Sequence, residues 1–250
     1  MNNREKSRYA RQIRLKQVGE AGQQKLLDST ALIIGMGGLG SPAAMYLAAA
    51  GIGRLIISDF DQVEDSNLQR QIIHRTQDIG ELKALSAKRA ISELNPDCVV
   101  EPLDWQLEES ELEDYARGVD IVLDCSDNFA TRFAINRACV KEKTPLVSGA
   151  AIRMEGQIAS YIPGSDGPCY QCLYKQEFEN TETCAAEGVL SPMVGVIGTM
   201  QALQTILILI GQQEQLKGKL LLFDGLSMEW QKVQIPKNPN CAVCGAKQLT

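Results

Sequence analysis

Two pairs of cysteines offer the most definite chemistry in this chain. Cys169-Tyr170-Gln171-Cys172 and Cys241-Ala242-Val243-Cys244 are C-x-x-C motifs, with 68 residues between Cys172 and Cys241. Thiolates at this spacing bind a tetrahedral cation, and two pairs fill all four positions, leaving none for water. A Zn²⁺ held this way is structural, and the long gap requires the fold to bring the pairs together. Gly167-Pro168 and Pro239-Asn240 supply a tight turn before each pair. The alternative, a redox C-x-x-C, needs only one pair. Of the remaining cysteines, Cys98, Cys125 and Cys139 fall in apolar segments and are expected to be inert core. Cys184 lies in the polar run 175–188, as a candidate reactive thiol or an ordinary loop residue.

A second constellation can bind a nucleotide. Gly35, Gly37 and Gly40 match G-x-G-x-x-G, with Gly38 inside the turn. Glycines there let the backbone approach a phosphate, and N–H groups at the following helix N-terminus receive it. Asp59 comes 19 residues after Gly40, at the end of the next apolar run, where a carboxylate accepts from ribose hydroxyls. Asp61, Asn67, Arg70 and Lys83 follow, with Asn67 and Arg70 spaced i, i+3. Cations near a phosphate turn suit a triphosphate better than a dinucleotide. The alternatives are solvated surface cations, or an NAD-dependent oxidoreductase built on the same turn. Asp124-Cys125-Ser126-Asp127-Asn128 closes a further apolar run. Asp127 is a candidate Mg²⁺ ligand beside substrate phosphates, or the N-cap of the next helix. His74 is the one histidine, expected to pack or cap near the site. With a single histidine, poly-His metal sites and the zinc deaminase pattern are excluded.

These residues need elements to hold them. Apolar run 31–34, the glycine turn, an Ala-rich helix 41–51 and apolar run 55–58 form a βαβ unit. The alternation continues through helix 81–94, strand 98–103, helix 110–117, strand 120–123, helix 128–141 and strand 145–147. That rhythm implies a doubly wound, mostly parallel Rossmann-like sheet, hence an α/β fold. After Gly149 the pattern changes: 156–162 alternates like a half-exposed strand, and 219–224 and 229–235 read as a strand pair turning at Gly225. The sheet is therefore expected to continue into an antiparallel half carrying the Cys₄ site. Residues 1–250 are expected to form one unit, with halves meeting near residue 150.

The bulk properties narrow the function. The net charge of −6 argues against a protein whose main task is gripping nucleic acid or an anionic membrane. The N-terminus is polar and basic, without the apolar core of a secretory signal. The run 197–211 is short for a span and contains Gln201 and Gln204, so it reads as a buried helix. A cytoplasmic protein without nucleic-acid or membrane partners is expected.

The motifs Arg8-Tyr9-x-Arg11-Gln12, GMGGLGSP, SDFDQVEDSNLQRQ, Lys83, DCSDN, SGAAIRMEGQI, CYQC and CAVC together resemble the MoeB/ThiF/HesA family, prokaryotic relatives of ubiquitin-activating enzymes. The resemblance runs from about Arg8 to Gly245, nearly the whole chain. It implies ATP-dependent adenylation of the C-terminal Gly-Gly carboxylate of a ubiquitin-fold sulfur carrier, with Mg²⁺, a structural Zn²⁺ and a homodimer. By motif, Asp59 would bind ribose, while Gly38, Asn67, Arg70 and Lys83 would contact phosphates. Asp127 would organise Mg²⁺, Arg11 would reach the ATP of the other subunit, and Cys169, Cys172, Cys241 and Cys244 would bind zinc. Gly35, Gly37, Gly40, Asp61 and Asn128 complete the expected nucleotide site. Residues 151–250 become the carrier-binding half, and the polar run 175–188 a lid over the carrier tail. Cys184 aligns with a cysteine that some members use in sulfur transfer. SGAAIRMEGQI resembles the molybdopterin-synthase branch more than the thiamine branch, whose carrier is ThiS-like. The chain ends soon after Gly245, so a separate sulfur-donor protein is expected.

Overall fold

The computed structural model describes residues 1–164, 167–174 and 187–245. Three short helices, α1 (Asn3–Arg8), α2 (Ala10–Ile13) and α3 (Gly19–Asp28), lead into β1 (Thr30–Ile34). The chain then runs through α4 (Gly40–Ala50), β2 (Arg54–Ser58), α5 (Lys83–Leu94), β3 (Val99–Leu103), α6 (Glu109–Arg117), β4 (Ile121–Asp124) and α7 (Phe129–Glu142). The second half contains β5 (Leu146–Ile152), β6 (Glu155–Tyr161), α8 (Tyr170–Leu173), α9 (Ser191–Leu209), β7 (Lys219–Asp224) and β8 (Glu229–Gln234).

One eight-stranded sheet joins both halves in the order β3-β2-β1-β4-β5-β6-β7-β8. Strands β1 to β5 pair in parallel, and β5 onward pair antiparallel. Period-two alternation builds the two cores. Ala31, Ile33, Leu55, Ile57, Ile121 and Leu123 pack on one face with α4, α5 and α9. Leu32, Ile34, Ile56 and Val122 pack on the other with α6 and α7. A parallel sheet covered on both faces reads in sequence as unbroken apolar runs, as these strands do.

Strand β6 departs from the sequence expectation. Its last four residues are buried, because Ile158 joins one core while Ala159 and Tyr161 join the other. It lies between two paired strands with packing on both faces, so it is not half-exposed. Edge strand β8 is exposed along its length, with Trp230 stacked on Phe223 at 4.6 Å.

By length and composition α9 is apolar enough to cross a membrane, yet it packs against α4, β4, β5 and β6. Its glutamines explain the placement. Gln201 Nε2 donates to the Asp124 and Val147 carbonyls at 2.8 and 3.3 Å, and Gln204 Oε1 accepts from the Ser160 hydroxyl at 2.5 Å. Buried polar side chains are tolerated where they satisfy otherwise orphaned partners.

Candidate nucleotide site and metal centre

The sheet order reverses between β1 and β4, and ligands in such sheets sit beyond the carboxyl ends of the strands at that point. The glycine turn follows β1 there. Gly35 has φ +94°, and a Cβ on it would lie 2.7 Å from the Cys125 carbonyl at the end of β4. A Cβ on Gly40 would lie 1.9 Å from the Gly35 carbonyl, so only glycine closes this turn.

The turn opens on a cavity of about 820 Å³. Gly35, Gly37 and Gly38 form part of its floor, and Asp59, Asp61, Arg70 and Lys83 line one side. Asp127 and Asn128 line the other, with Cys125 and Ser126 below them. Asp59 Oδ2 accepts the Met36 N–H at 2.7 Å, and Oδ1 accepts the Asp61 N–H at 3.0 Å. Burial raises the Asp59 pKa against the pull of Lys83 and these N–H groups. Lys83, buried at the first turn of α5, pairs with Asp61 at 2.8 Å. Arg70 is half-buried, with Nη1 donating to the Ser66 carbonyl at 3.1 Å.

Asn67 is placed differently from the other expected residues. It is buried and does not line the cavity; its Oδ1 accepts the Glu64 N–H at 3.2 Å, capping a 3₁₀ turn at Asp65–Asn67. Its carbonyl accepts the N–H groups of Arg70 and Gln71, so it stands behind the residues that face the cavity. Gly40 is likewise buried in the first turn of α4.

The two readings of Asp127 separate in the structure. The N-cap of α7 is Asn128, whose Oδ1 accepts the Thr131 N–H at 2.9 Å. Asp127 is exposed to the cavity and no described residue donates to its carboxylate.

The cavity continues past the expected site. Arg132 and Phe129 of α7, Tyr170 of α8, Gln157 of β6, Leu222 of β7 and Gln231 of β8 line its far side. Sequence reading missed these residues, because their approach depends on β6 to β8 joining the parallel sheet. Arg132 is buried, with Nη2 donating to the Ser126 carbonyl at 2.5 Å. Arg11 lies elsewhere. It is exposed on α2 beside a second hollow of about 430 Å³, shared with Tyr46 of α4 and Leu203 of α9. Cys184 lies outside the described residues.

The two C-x-x-C pairs converge as expected. Their sulfurs all lie within 4.8 Å of one another, with Cys169 to Cys241 at 3.6 Å and Cys172 to Cys244 at 3.4 Å. A tetrahedron with Zn–S bonds of about 2.3 Å has sulfur–sulfur edges of about 3.8 Å, so the four thiols can hold a metal ion of that kind. Asn136 Nδ2 and the Asn238 N–H donate to Cys169 and Cys172 Sγ at 3.8 and 3.4 Å, as outer partners of a metal-bound thiolate do. Burial raises Cys169, and burial with the neighbouring Cys172 raises Cys244 to about 11, while N–H groups of the 241–244 turn lower Cys241 against its burial. Cys98, Cys125 and Cys139 are buried, and burial raises all three, Cys98 to about 11. They are core thiols, not nucleophiles. His74 packs behind the glycine turn, with its ring nitrogens against Ser86 and Met36.

Comparison with known proteins gives a consistent answer. The chain is 43% identical over 245 residues to the molybdopterin-synthase adenylyltransferase of Escherichia coli, covering 98% of each chain. It is 46% identical over 245 residues to the sulfur carrier protein ThiS adenylyltransferase of the same organism, covering 98% of this chain and 97% of that one. It is also 46% identical to the adenylyltransferase and sulfurtransferase MOCS3 of Drosophila virilis, but spans only 56% of that protein's length. Among solved structures, Escherichia coli MccB with ATP superposes with a TM-score of 0.85 at 24% identity, over 98% of this chain and 75% of that one, a likeness of fold. The model of the ThiF family matches residues 9–243, and the chain belongs to that family.

Proposed function

We propose that this protein uses ATP to adenylate the C-terminal Gly-Gly carboxylate of a ubiquitin-fold sulfur carrier, releasing pyrophosphate. The observation that carries this reading is the single cavity running from the glycine turn to the antiparallel strands. Its near end offers N–H groups, two cations and the Asp127 carboxylate, which has no described donor; its far end lies beside β7 and the exposed edge strand β8. A nucleotide fits the first part and a slender peptide tail the second.

In this reading the nucleophile comes with the substrate. A terminal carboxylate has a pKa of about 3.5 and is already ionised at pH 7, so no general base is needed. Its oxygen attacks the α-phosphorus while the bond from that phosphorus to the bridging oxygen breaks and pyrophosphate departs. The chain's residues orient the two reactants and neutralise charge on the phosphates. Lys83 and Arg70 supply positive charge, Asp59 holds the ribose, and Asn67 keeps Arg70 aimed at the cavity. Asp127 would hold Mg²⁺, which neutralises phosphate charge when bound. Zn²⁺ fits the four cysteines. Arg11 acts across a homodimer, a role supported by the face it shares with Tyr46 (56% exposed) and Leu203 (48% exposed), apolar side chains that a second copy would cover.

The carrier is of the molybdopterin type, on the strength of SGAAIRMEGQI in β5 and β6; the relatives themselves carry both pathway names. ATP–pyrophosphate exchange tests the whole reading, run with a molybdopterin-type and a ThiS-like carrier, each with and without its terminal Gly-Gly. Exchange that needs the intact tail and favours the first carrier supports it. Preference for the ThiS-like carrier moves the protein to the thiamine branch. ATP binding without exchange on either carrier overturns carboxyl adenylation.

A further inference from the structure

The glycine turn is held from behind by a chain of buried side chains that the reaction above does not use. His74, 4% exposed, places Nε2 at 3.1 Å from the Met36 carbonyl and Nδ1 at 2.8 Å from the Ser86 hydroxyl. Ser86, on α5, lies 2.8 Å from Asp78 Oδ2. Asp78 accepts the Arg75 N–H at 2.8 Å and pairs with Arg89 at 2.6 Å.

The carbonyl contact places a proton on Nε2. Burial, with the charge of Lys83, lowers the His74 pKa against the opposite pull of the Met36 carbonyl, Asp78 and Glu81. Only an N–H can face a carbonyl, so Nε2 carries a proton. The Ser86 hydroxyl has one proton for two acceptors. It goes to the Asp78 carboxylate, a stronger acceptor than a neutral ring nitrogen, and the Ser86 oxygen lies against Nδ1.

The consequence lies on the other side of the same peptide. In a trans peptide the C=O and the next N–H point in opposite directions. Holding the Met36 carbonyl inward therefore turns the Gly37 N–H outward. Gly37 lines the cavity, and no described residue accepts from its N–H. The preceding peptide is pinned too, because the Met36 N–H donates to Asp59. We propose that His74 is a positioning residue for the phosphate chain of ATP, donating from Nε2 to the Met36 carbonyl so that the Gly37 N–H is presented to a phosphate oxygen. This rests on the nucleotide reading of the cavity, but not on the identity of the carrier.

The experiment compares ATP and adenosine binding to the full chain by calorimetry, in wild type, His74→Phe, His74→Gln and Ser86→Ala. His74→Phe keeps ring volume and removes the donor, so ATP affinity falls about tenfold to hundredfold, as for one misdirected hydrogen bond to a charged group. Adenosine affinity stays within about twofold, since no phosphate is involved. Gln carries a donor near the Nε2 position and restores most of the ATP affinity. Ser86→Ala leaves the ring less well oriented and costs a few-fold. In exchange assays the loss falls on the KM for ATP more than on kcat.

A second readout needs no variant to fold. With only one histidine, ¹⁵N-imidazole labelling gives one ring spectrum, expected as the Nε2–H tautomer at pH 7.5 and shifted by ATP. Equal ATP affinity in wild type and His74→Phe, or an Nδ1–H tautomer, overturns the proposal while leaving the nucleotide site standing. A wild type that binds no ATP overturns the nucleotide reading and this one with it.

Discussion

At the scale of single residues, the cavity separates groups that hold the fold from groups left free for a ligand. Asp127 is free: it is exposed, and its carboxylate has no described donor. Asp127→Asn should therefore leave the melting temperature within about 1 °C while cutting pyrophosphate exchange by about 10²-fold or more, the scale for losing a preorganised electrostatic group. Activity within threefold of wild type in a folded variant would remove Asp127 from the mechanism. Asp78 is the opposite case, buried under Ser86 and Arg89. Burial alone raises its pKa, but the Arg75 N–H, Ser86 and Arg89 together outweigh it and lower the folded value below the ordinary 3.8. A carboxylate depressed in the folded state stabilises above its unfolded pKa, and that stability is lost as pH falls through the folded pKa. Asp78→Ala should thus melt well below wild type at pH 7, and the gap should narrow below about pH 4. Thermal melts at pH 7, 5 and 3 check it, and a gap unchanged at pH 3 refutes the ionic account.

At the scale of elements, most of the parallel half was legible because period-two and helical runs alternate with clear punctuation. The Ala-rich helix ends where expected: Gly51 takes φ 93° as its left-handed cap. The antiparallel half was read less well. Sequence alternation at 156–162 predicts a half-exposed strand, but burial there depends on α9 and on neighbours far along the chain. For the same reason Arg132, Tyr170 and Gln231 were not seen as cavity walls, and the partners of His74, 12 and 38 residues away, left no local trace. Helix α9 locks the halves together. A Cβ on Gly198 would sit 2.2 Å from the Leu39 carbonyl and 2.7 Å from Pro42, inside the contact with α4 beside the glycine turn. Overpacking of this kind costs about 1–3 kcal/mol. Gly198→Ala should lower the melting temperature by about 3–10 °C and weaken ATP binding, because Leu39 must shift. A variant that melts with wild type would show that α9 is free to move off α4.

At the scale of the molecule, the question is what a cluster built from two cysteine pairs, with 68 residues between them, contributes to the cavity on the sheet. The convergence of the cysteine pairs was legible from chemistry alone, since four thiolates at that spacing need one another. Its link to the cavity was not. Tyr170 follows Cys169 directly, lies 4.6 Å from the Tyr174 ring and meets Phe133 and Tyr161 edge-on at 5.7 and 6.0 Å. The same Tyr170 lines the far wall of the cavity, while the glycine turn is held by β1, β2 and His74. Losing one ligand therefore loosens the tail end of the cavity before the nucleotide end. Wild type should carry about one zinc per chain, and Cys244→Ser should lose it and melt at lower temperature, because metal binding is coupled to folding. In that variant, below its melting point, ATP affinity should stay within about threefold of wild type while carrier-dependent exchange falls more than tenfold. Zinc analysis, calorimetry with ATP and exchange on the same preparation decide it. Equal losses of ATP affinity and exchange would mean that the metal supports the sheet as a whole, and a metal-free wild type of full stability would refute a structural role for the metal.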